Sequence, residues 1–374
     1  MLAGPYTTMI LADLGAEVVK IEQPKIGDIT RNLLKDDPKY SLDGIGAYHL
    51  TLGRNKKSVE LNLKSEQGLK LFKELAEVAD VVVDNFSQGV TKRLGIDHQS
   101  LKEVNPKIIT CSISGFGNTE VNRPAYDNLI QGYAGAMSIT GTDKENPVKS
   151  GIPIADLGAG LYAVIGILSA IQSREKNDSG EHVDISMLDT QVSLLTYMAT
   201  MHFLSGENPE PIGNEHMNHV PFNSYRTSDG FIQIGVVAED FWPSLIEALD
   251  LKQLDTEENK LRSGRIKNRD NIDQVVQEVF ITNTTEHWLK TLQKHRVPCG
   301  PINTLSETFQ DADLLKRNMI IEVLQDSGAS VKMPGNPVKI SNHDEEFRRS
   351  PKLGEHTSEI FKNWLDKDIS VDQD

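Results

Sequence analysis

One carboxylate opens the most apolar stretch of this 374-residue chain. In 150–174, SGIPIADLGAGLYAVIGILSAIQSR, Asp156 follows a Gly-Ile-Pro-Ile lead-in and precedes Leu157, Gly158, Ala159 and Gly160. The plainer reading makes Asp156 a helix N-cap, accepting hydrogen bonds from free backbone N–H groups and worth ~1 kcal/mol. The same position also suits chemistry. The positive end of a helix keeps a carboxylate ionised, and neighbouring glycines leave room for a ligand. An ionised, accessible carboxylate is a nucleophile towards activated acyl groups. The two readings are compatible.

Other segments supply polar groups at helix and strand ends. RPAYDNLIQGYAGAM contains Arg123, Tyr126, Asp127 and Gln131, and also fits a plain helix start with Pro124 and Asp127 in the first turn. LGRNKKSVELNLK puts Arg54, Lys56 and Lys57 just before a β-branched run, and NFSQGVTKRLG puts Asn85, Phe86, Lys92 and Arg93 just after another. Strand ends of parallel α/β folds hold phosphates this way, although a solvated charged edge gives the same pattern. No Walker lysine motif or G-x-S-x-G elbow occurs, and GFG at 115–117 is not a dinucleotide fingerprint. His182, His202, His216 and His219 lack metal-ligand spacing, as do Cys111 and Cys299, so no metal is expected.

The elements that position these groups alternate in an α/β manner. EVVKIE (17–22), SVELNL (58–63), DVVVDN (80–85) and KIITCSI (107–113) read as strands. SEQGLKLFKELAEVA has helical apolar spacing behind Ser65, a capping residue, and Glu66. Together they predict a large Rossmann-like domain with one parallel sheet and crossover helices, over 1–204. Within it, 157–174 reads as a buried helix, EHVDISM as a strand and 188–204 as a second apolar helix. The polar stretch 205–221, with three prolines, reads as a linker. FNSYRTSDGFIQIGVV has a hairpin pattern around Asp229-Gly230, followed by helical stretches from about 240 to 294, so 222–305 is expected to be a smaller α+β domain. Residues 306–374 then return to the large domain, with strand-like pieces from about 315 and an amphipathic helix near 355–366.

The apolar and charged shares, 38% and 25%, are those of a globular protein. With 54 acidic against 39 basic side chains, the formal charge of -15 argues against nucleic acid or an anionic membrane surface as partner. An anionic ligand must therefore find a local basic patch. Two cysteines cannot form a disulfide framework, and a reducing, cytoplasmic setting is expected. MLAGPYTTMILADLG has no basic leader and is interrupted by Asp13, so secretion is not expected. The apolar run 157–171 falls short of the ~20 residues a bilayer requires.

Taken in order, LAGPYTTMILADLGAEVVKIE, GDITR, GRNKKSVELNLK, DNFSQGVTKRLG, SISGFG, RPAYDNLIQGYAGAMSITG, PVKSGIPIADLGAGLYAVIGILSAI and LGEHT resemble the family III CoA-transferases. That group includes formyl-CoA transferase, carnitine CoA-transferases and the related 2-methylacyl-CoA racemases. The resemblance implies that Asp156 attacks an acyl-CoA thioester, giving an aspartyl mixed anhydride, and that CoA moves to a second, small carboxylic acid. It places Tyr126 and Asp127 beside the nucleophile. Arg54, Lys56, Lys57, Asn85, Phe86, Arg93 and Arg123 fall on or beside its coenzyme A-contacting stretches. It also implies an interlocked, ring-like homodimer and, in the form RPAYD…SGIPIADLGAGLYA, short dicarboxylates or carnitine-like acids as substrates.

This chain departs from those relatives in five places. They carry a strand before LAGPY, so a truncated sequence or a sheet lacking one strand is expected. Leu2 and Gln23 replace a glutamine and a basic CoA contact of the formyl-CoA enzyme, whose glycine-run loop has no counterpart in IGNEHMNHVPF. Formate–oxalate exchange is therefore disfavoured. Racemases carry His-Asp where this chain has Tyr126-Asp127, and tyrosine, with a pKa of ~10, is a poor α-proton base. The alternatives to a CoA-transferase are thus a racemase, disfavoured by Tyr126, and a CoA-binding protein without turnover.

Overall fold

The computed structural model describes residues 1–121 and 123–369. These residues form two compact units. The first comprises Met1–Ala136, Lys149–Glu207 and the chain from Asp313 onward.

In the first unit, α1 (Ala3–Asp13) leads into β1 (Val18–Glu22), which pairs in parallel with β2 (Lys56–Glu60), Val18 opposite Lys56 and Glu22 opposite Glu60. Helix α2 (Glu66–Val78) begins at Ser65, whose hydroxyl accepts the Gly68 N–H. It buries Leu71, Phe72, Leu75 and Ala76, an i, i+1, i+4, i+5 stripe, in a cluster with Val59 and Leu61. Strand β3 (Val81–Asp84), helix α3 (Val90–Leu94), strand β4 (Ile109–Ser114) and helix α4 (Asp127–Tyr133) follow. Next come α5 (Ile154–Asn177) and β5 (His182–Ser186), then two short helices, α6 (Met187–Leu194) and α7 (Tyr197–Ser205). β3, β4 and β5 form a second parallel sheet, with Thr110 between Val82 and His182 in register.

Three expectations need correction. The parallel strands form two sheets, not one: β1 with β2, and β3 with β4 and β5. The helix expected over 188–204 breaks where Thr196 adopts a positive φ of 48°, a backbone conformation that no right-handed helix continues through. Helix α5 is only half buried. Its Ala155, Ala159, Ala163 and Ile167 face pack against Cys111, Ile113 and Met187, small side chains letting the helix lie close to the sheet. Its opposite face leaves Leu161, Ile165 and Leu168 exposed.

The second unit comprises Met137–Val148 and Asn208–Ala312. Its hairpin joins β6 (Phe222–Arg226) to β7 (Phe231–Gly235) through the Asp229-Gly230 turn, and β8 (Cys299–Pro301) adds to the far edge of β7. Helices α8 (Phe241–Leu249), α9 (Arg269–Phe280) and α10 (Thr285–Lys294) cover one face with Trp242, Leu245, Val276, Phe280 and Trp288. The first unit resumes with the antiparallel pair β9 (Ile320–Leu324) and β10 (Ser330–Pro334) and ends in α11 (Thr357–Leu365), whose Ile360 and Phe361 complete the cluster under α2.

Candidate active site

The N-terminus of α5 has no cap of its own. Pro153 occupies the N-cap position and offers no side-chain oxygen, so the first N–H groups of the helix need partners from elsewhere. Asp127, the first residue of α4, supplies one. Its Oδ1 accepts the N–H of Ala155 at 2.8 Å and of Asp156 at 3.2 Å. Its Oδ2 accepts from Gln131 Nε2 at 2.6 Å, and Gln131, itself buried, accepts the Ser150 N–H through Oε1 at 2.9 Å.

Asp156 therefore stands in the first turn of α5, not at its cap, which corrects the expectation of a capping carboxylate. Its partly buried side chain accepts the backbone N–H of Ala3. Burial, then the nearby Asp127 charge, push its pKa up to about 6, against the smaller opposing effects of the Met1 ammonium and the Ala3 N–H. The sequence position predicts that the helix end itself keeps this carboxyl ionised. Asp127 already occupies the N–H groups that would have done so. At neutral pH Asp156 is still mostly ionised, and a carboxylate of raised basicity is a stronger nucleophile than an ordinary aspartate.

Close helix packing fixes the Ala3 donor. A Cβ on Gly160 would lie 2.9 Å from Tyr6 Cδ1 and 3.1 Å from the Ala3 carbonyl oxygen, so glycine is what allows α1 to touch α5. Thr7 Oγ1 lies 2.9 Å from the Ala3 oxygen and 3.2 Å from the Gly160 oxygen, sharing its proton between the two helices. Gly158 likewise admits Thr190 and Leu194 of α6. These glycines serve packing, where the sequence suggested ligand access. Asn85 ties down the same end of α1, accepting from Gly4 N at 3.3 Å and donating to the Ile113 oxygen at 2.7 Å.

Asp156 and Asn85 thus meet the N-terminus of α1 and Asp127 the N-terminus of α5, with Tyr126 beside Asp127 and 62% exposed. Phe86 and Arg93 are exposed on the segment after β3, and Arg93 makes no ion pair among the described residues. Arg123 lies over the Phe116 and Tyr133 rings, at 4.6 and 4.3 Å from their centroids.

Residues 54–57 are engaged within the fold. Arg54 is buried in an ion pair with Asp13, Nη2 to Oδ2 2.6 Å, at the opposite end of α1, about 15 Å from Ala3 by helix rise. Lys56 is buried with its ammonium donating to the Pro5 oxygen and Thr8 Oγ1, both at 2.8 Å, and burial drives its pKa well below that of an ordinary lysine. Lys57 pairs with Glu17 and Glu359. The first two lock α1 against β2 and do not face solvent as a phosphate ligand must. The KIE and GDITR segments are structural too: Glu22 holds Arg31 through both oxygens, and Asp28 pairs with Lys20 at 2.8 Å and accepts the Thr30 N–H.

One contributor lacked a sequence signal, and a second, Gln131, carried only part of one. The Ala3 N–H is a backbone donor with no side-chain signature. Gln131 carried one in its i, i+4 spacing from Asp127, although that spacing does not reveal the link to Ser150.

The fold, with its parallel sheets, matches that of the CAIB/BAIF proteins. A crystal structure of a CAIB/BAIF family protein from Brucella suis superposes with a TM-score of 0.86 at 34% identity, over 97% of this chain and 96% of that one. The chain belongs to CoA-transferase family III, whose profile matches residues 1–357, and it is an enzyme of that family. Similar proteins include the human succinyl-CoA:glutarate CoA-transferase, 34% identical over 98% of this chain and 83% of the relative. The succinyl-CoA:mesaconate CoA-transferase of Haloarcula marismortui is 35% identical, over 96% and 92%.

Proposed function

We propose that this enzyme is an acyl-CoA:carboxylate CoA-transferase with Asp156 as nucleophile and short dicarboxylates among its acids. The observation that carries this reading is Asp156 itself: a partly buried carboxylate of raised basicity, held by the Ala3 N–H at the junction of three helices. The relatives' names, with succinyl-CoA as donor and glutarate or mesaconate as acceptor, support the dicarboxylate class.

The Asp156 carboxylate adds to the donor thioester carbonyl, the C–S bond breaks, and CoA leaves as thiolate with the electron pair. The thiolate then attacks the Asp156 carbonyl carbon of the mixed anhydride, releasing the donor acid and leaving an aspartyl–CoA thioester. The acceptor carboxylate attacks that thioester, again expelling thiolate. Attack of thiolate on the acceptor carbonyl gives the new acyl-CoA and restores Asp156. One thioester replaces another, so no ATP is required. Asn85, bonded to Gly4 of α1, together with Phe86, Arg93 and Arg123, are the candidates for holding CoA.

The assembly we propose is an interlocked homodimer in a reducing, cytoplasmic compartment. Phe203 and Leu204 are more than 80% exposed on α7, and with Ile165 and Leu168 of α5 they form apolar surface that a second copy would cover. Both cysteines are free, and Cys111 is buried.

The test is mass spectrometry of the protein with succinyl-CoA and ¹⁸O-labelled glutarate, mesaconate or oxalate, without ATP. A new acyl-CoA shows transfer, and ¹⁸O passing through Asp156 into the released succinate shows the anhydride route. Transfer over many turnovers without label in succinate excludes that route. Loss of an α-deuterium from a branched acyl-CoA, with no exchange of acids, overturns the transferase reading in favour of racemisation.

A further inference from the structure

We propose that Asp127 is a positioning residue for the reaction: from α4 it replaces the missing N-cap of α5 and orients the Asp156 backbone and carboxylate towards the thioester. The inference rests on Asp156 being the nucleophile.

The geometry is specific to one side chain. Pro153 cannot cap, and the lead-in 150–153 has no other side-chain oxygen bonded to the first turn of α5. The N–H groups of Ala155 and Asp156 both point at Asp127 Oδ1. Its second oxygen is held by Gln131, and the same amide holds Ser150 at the start of the lead-in. One carboxylate therefore joins α4, the 150–153 lead-in and the first turn of α5, and Asp156 belongs to that turn.

Uncharged oxygen would serve for capping alone. A carboxylate adds negative charge beside Asp156, stabilising the protonated acid and making the ionised form a stronger base. The groups that act on Asp156 are Asp127 from α4, and the Met1 ammonium and Ala3 N–H from the α1 side. Lys20 and Asp28 act on that ammonium. Asp156 is the only acidic residue in the first turn of α5, and Asp189 lies in the first turn of α6, the helix packed along it. Of these, Asp127 alone both touches the Asp156 backbone and raises its basicity.

Two variants separate the two actions. Asp127→Asn keeps an oxygen for the Ala155 and Asp156 N–H groups and removes the charge; Asp127→Ala removes both. In ¹³C-aspartate-labelled protein, with the Asp156 resonance assigned through Asp156→Asn, the titration midpoint near pH 6 is expected to fall by about one unit in Asp127→Asn. The acid limb of kcat/KM should follow it. Asp127→Ala is expected to lower kcat about 100-fold, as for a displaced nucleophile, with a KM for acyl-CoA close to wild type. An unchanged midpoint and pH profile in Asp127→Asn, or wild-type kcat in a folded Asp127→Ala protein, overturns the proposal. Full activity of Asp156→Asn would instead defeat the underlying functional reading, while the NMR titration still reports on Asp127 independently.

Discussion

Replacing Asp156 by asparagine is expected to abolish CoA exchange and, at neutral pH, to make the protein more stable. The side chain caps no N–H of α5, and an asparagine oxygen can still accept the Ala3 N–H, so little bonding is lost. What disappears is a charge that burial and Asp127 both disfavour. Burial is the larger cause of the rise from 3.8 to about 6. A raised pKa in the folded state means that native Asp156 binds more protons than the unfolded chain between those two values. Its contribution is fully present below pH 3.8 and is lost as pH rises through about 6. Two pKa units correspond to about 3 kcal/mol, which solvent screening of a partly exposed group reduces to about 1–2 kcal/mol. Urea denaturation of wild type and Asp156→Asn at pH 8, 6 and 4 should show the variant ahead by that amount at pH 8, with the gap closing by pH 4. A variant equal to or weaker than wild type at pH 8, or a gap independent of pH, refutes the reasoning and returns Asp156 to a structural role.

Arg54→Met leaves Asp13 buried without its main partner and should cost about 3–5 kcal/mol in a denaturant titration, whereas Arg54→Met/Asp13→Leu recovers most of it; a single variant as stable as wild type refutes this. Gly160→Ala forces α1 away from α5 and should lower stability by about 1–3 kcal/mol, with reduced kcat as the Ala3 donor moves; an unaltered melting curve refutes it. The proposed exchange uses only the Asp156 carboxylate and the CoA thiolate, so dialysis against EDTA should leave the exchange rate unchanged, and a loss restored by added divalent metal would contradict that.

Much of this protein is determined locally, and the sequence carries it. The strands at 18–22, 81–84 and 109–114, the Ser65-capped helix and the hairpin at Asp229-Gly230 follow from period, capping and turn chemistry within a few residues. The family follows from eight motifs in order, and Asp156 stands out by its place before an apolar run. What only the tertiary structure decided is which polar groups meet. Asp127 and Asp156, 29 residues apart, share a hydrogen bond, so the carboxylate that caps α5 belongs to another helix and the one on α5 is left basic. Arg54 and Lys56, basic and close to a strand start, turn inward because Asp13 and the Pro5 carbonyl lie beneath them. Sequence spacing reports which residues share an element and a face; the charge a side chain feels depends on groups brought beside it by packing, and such groups leave no periodicity behind.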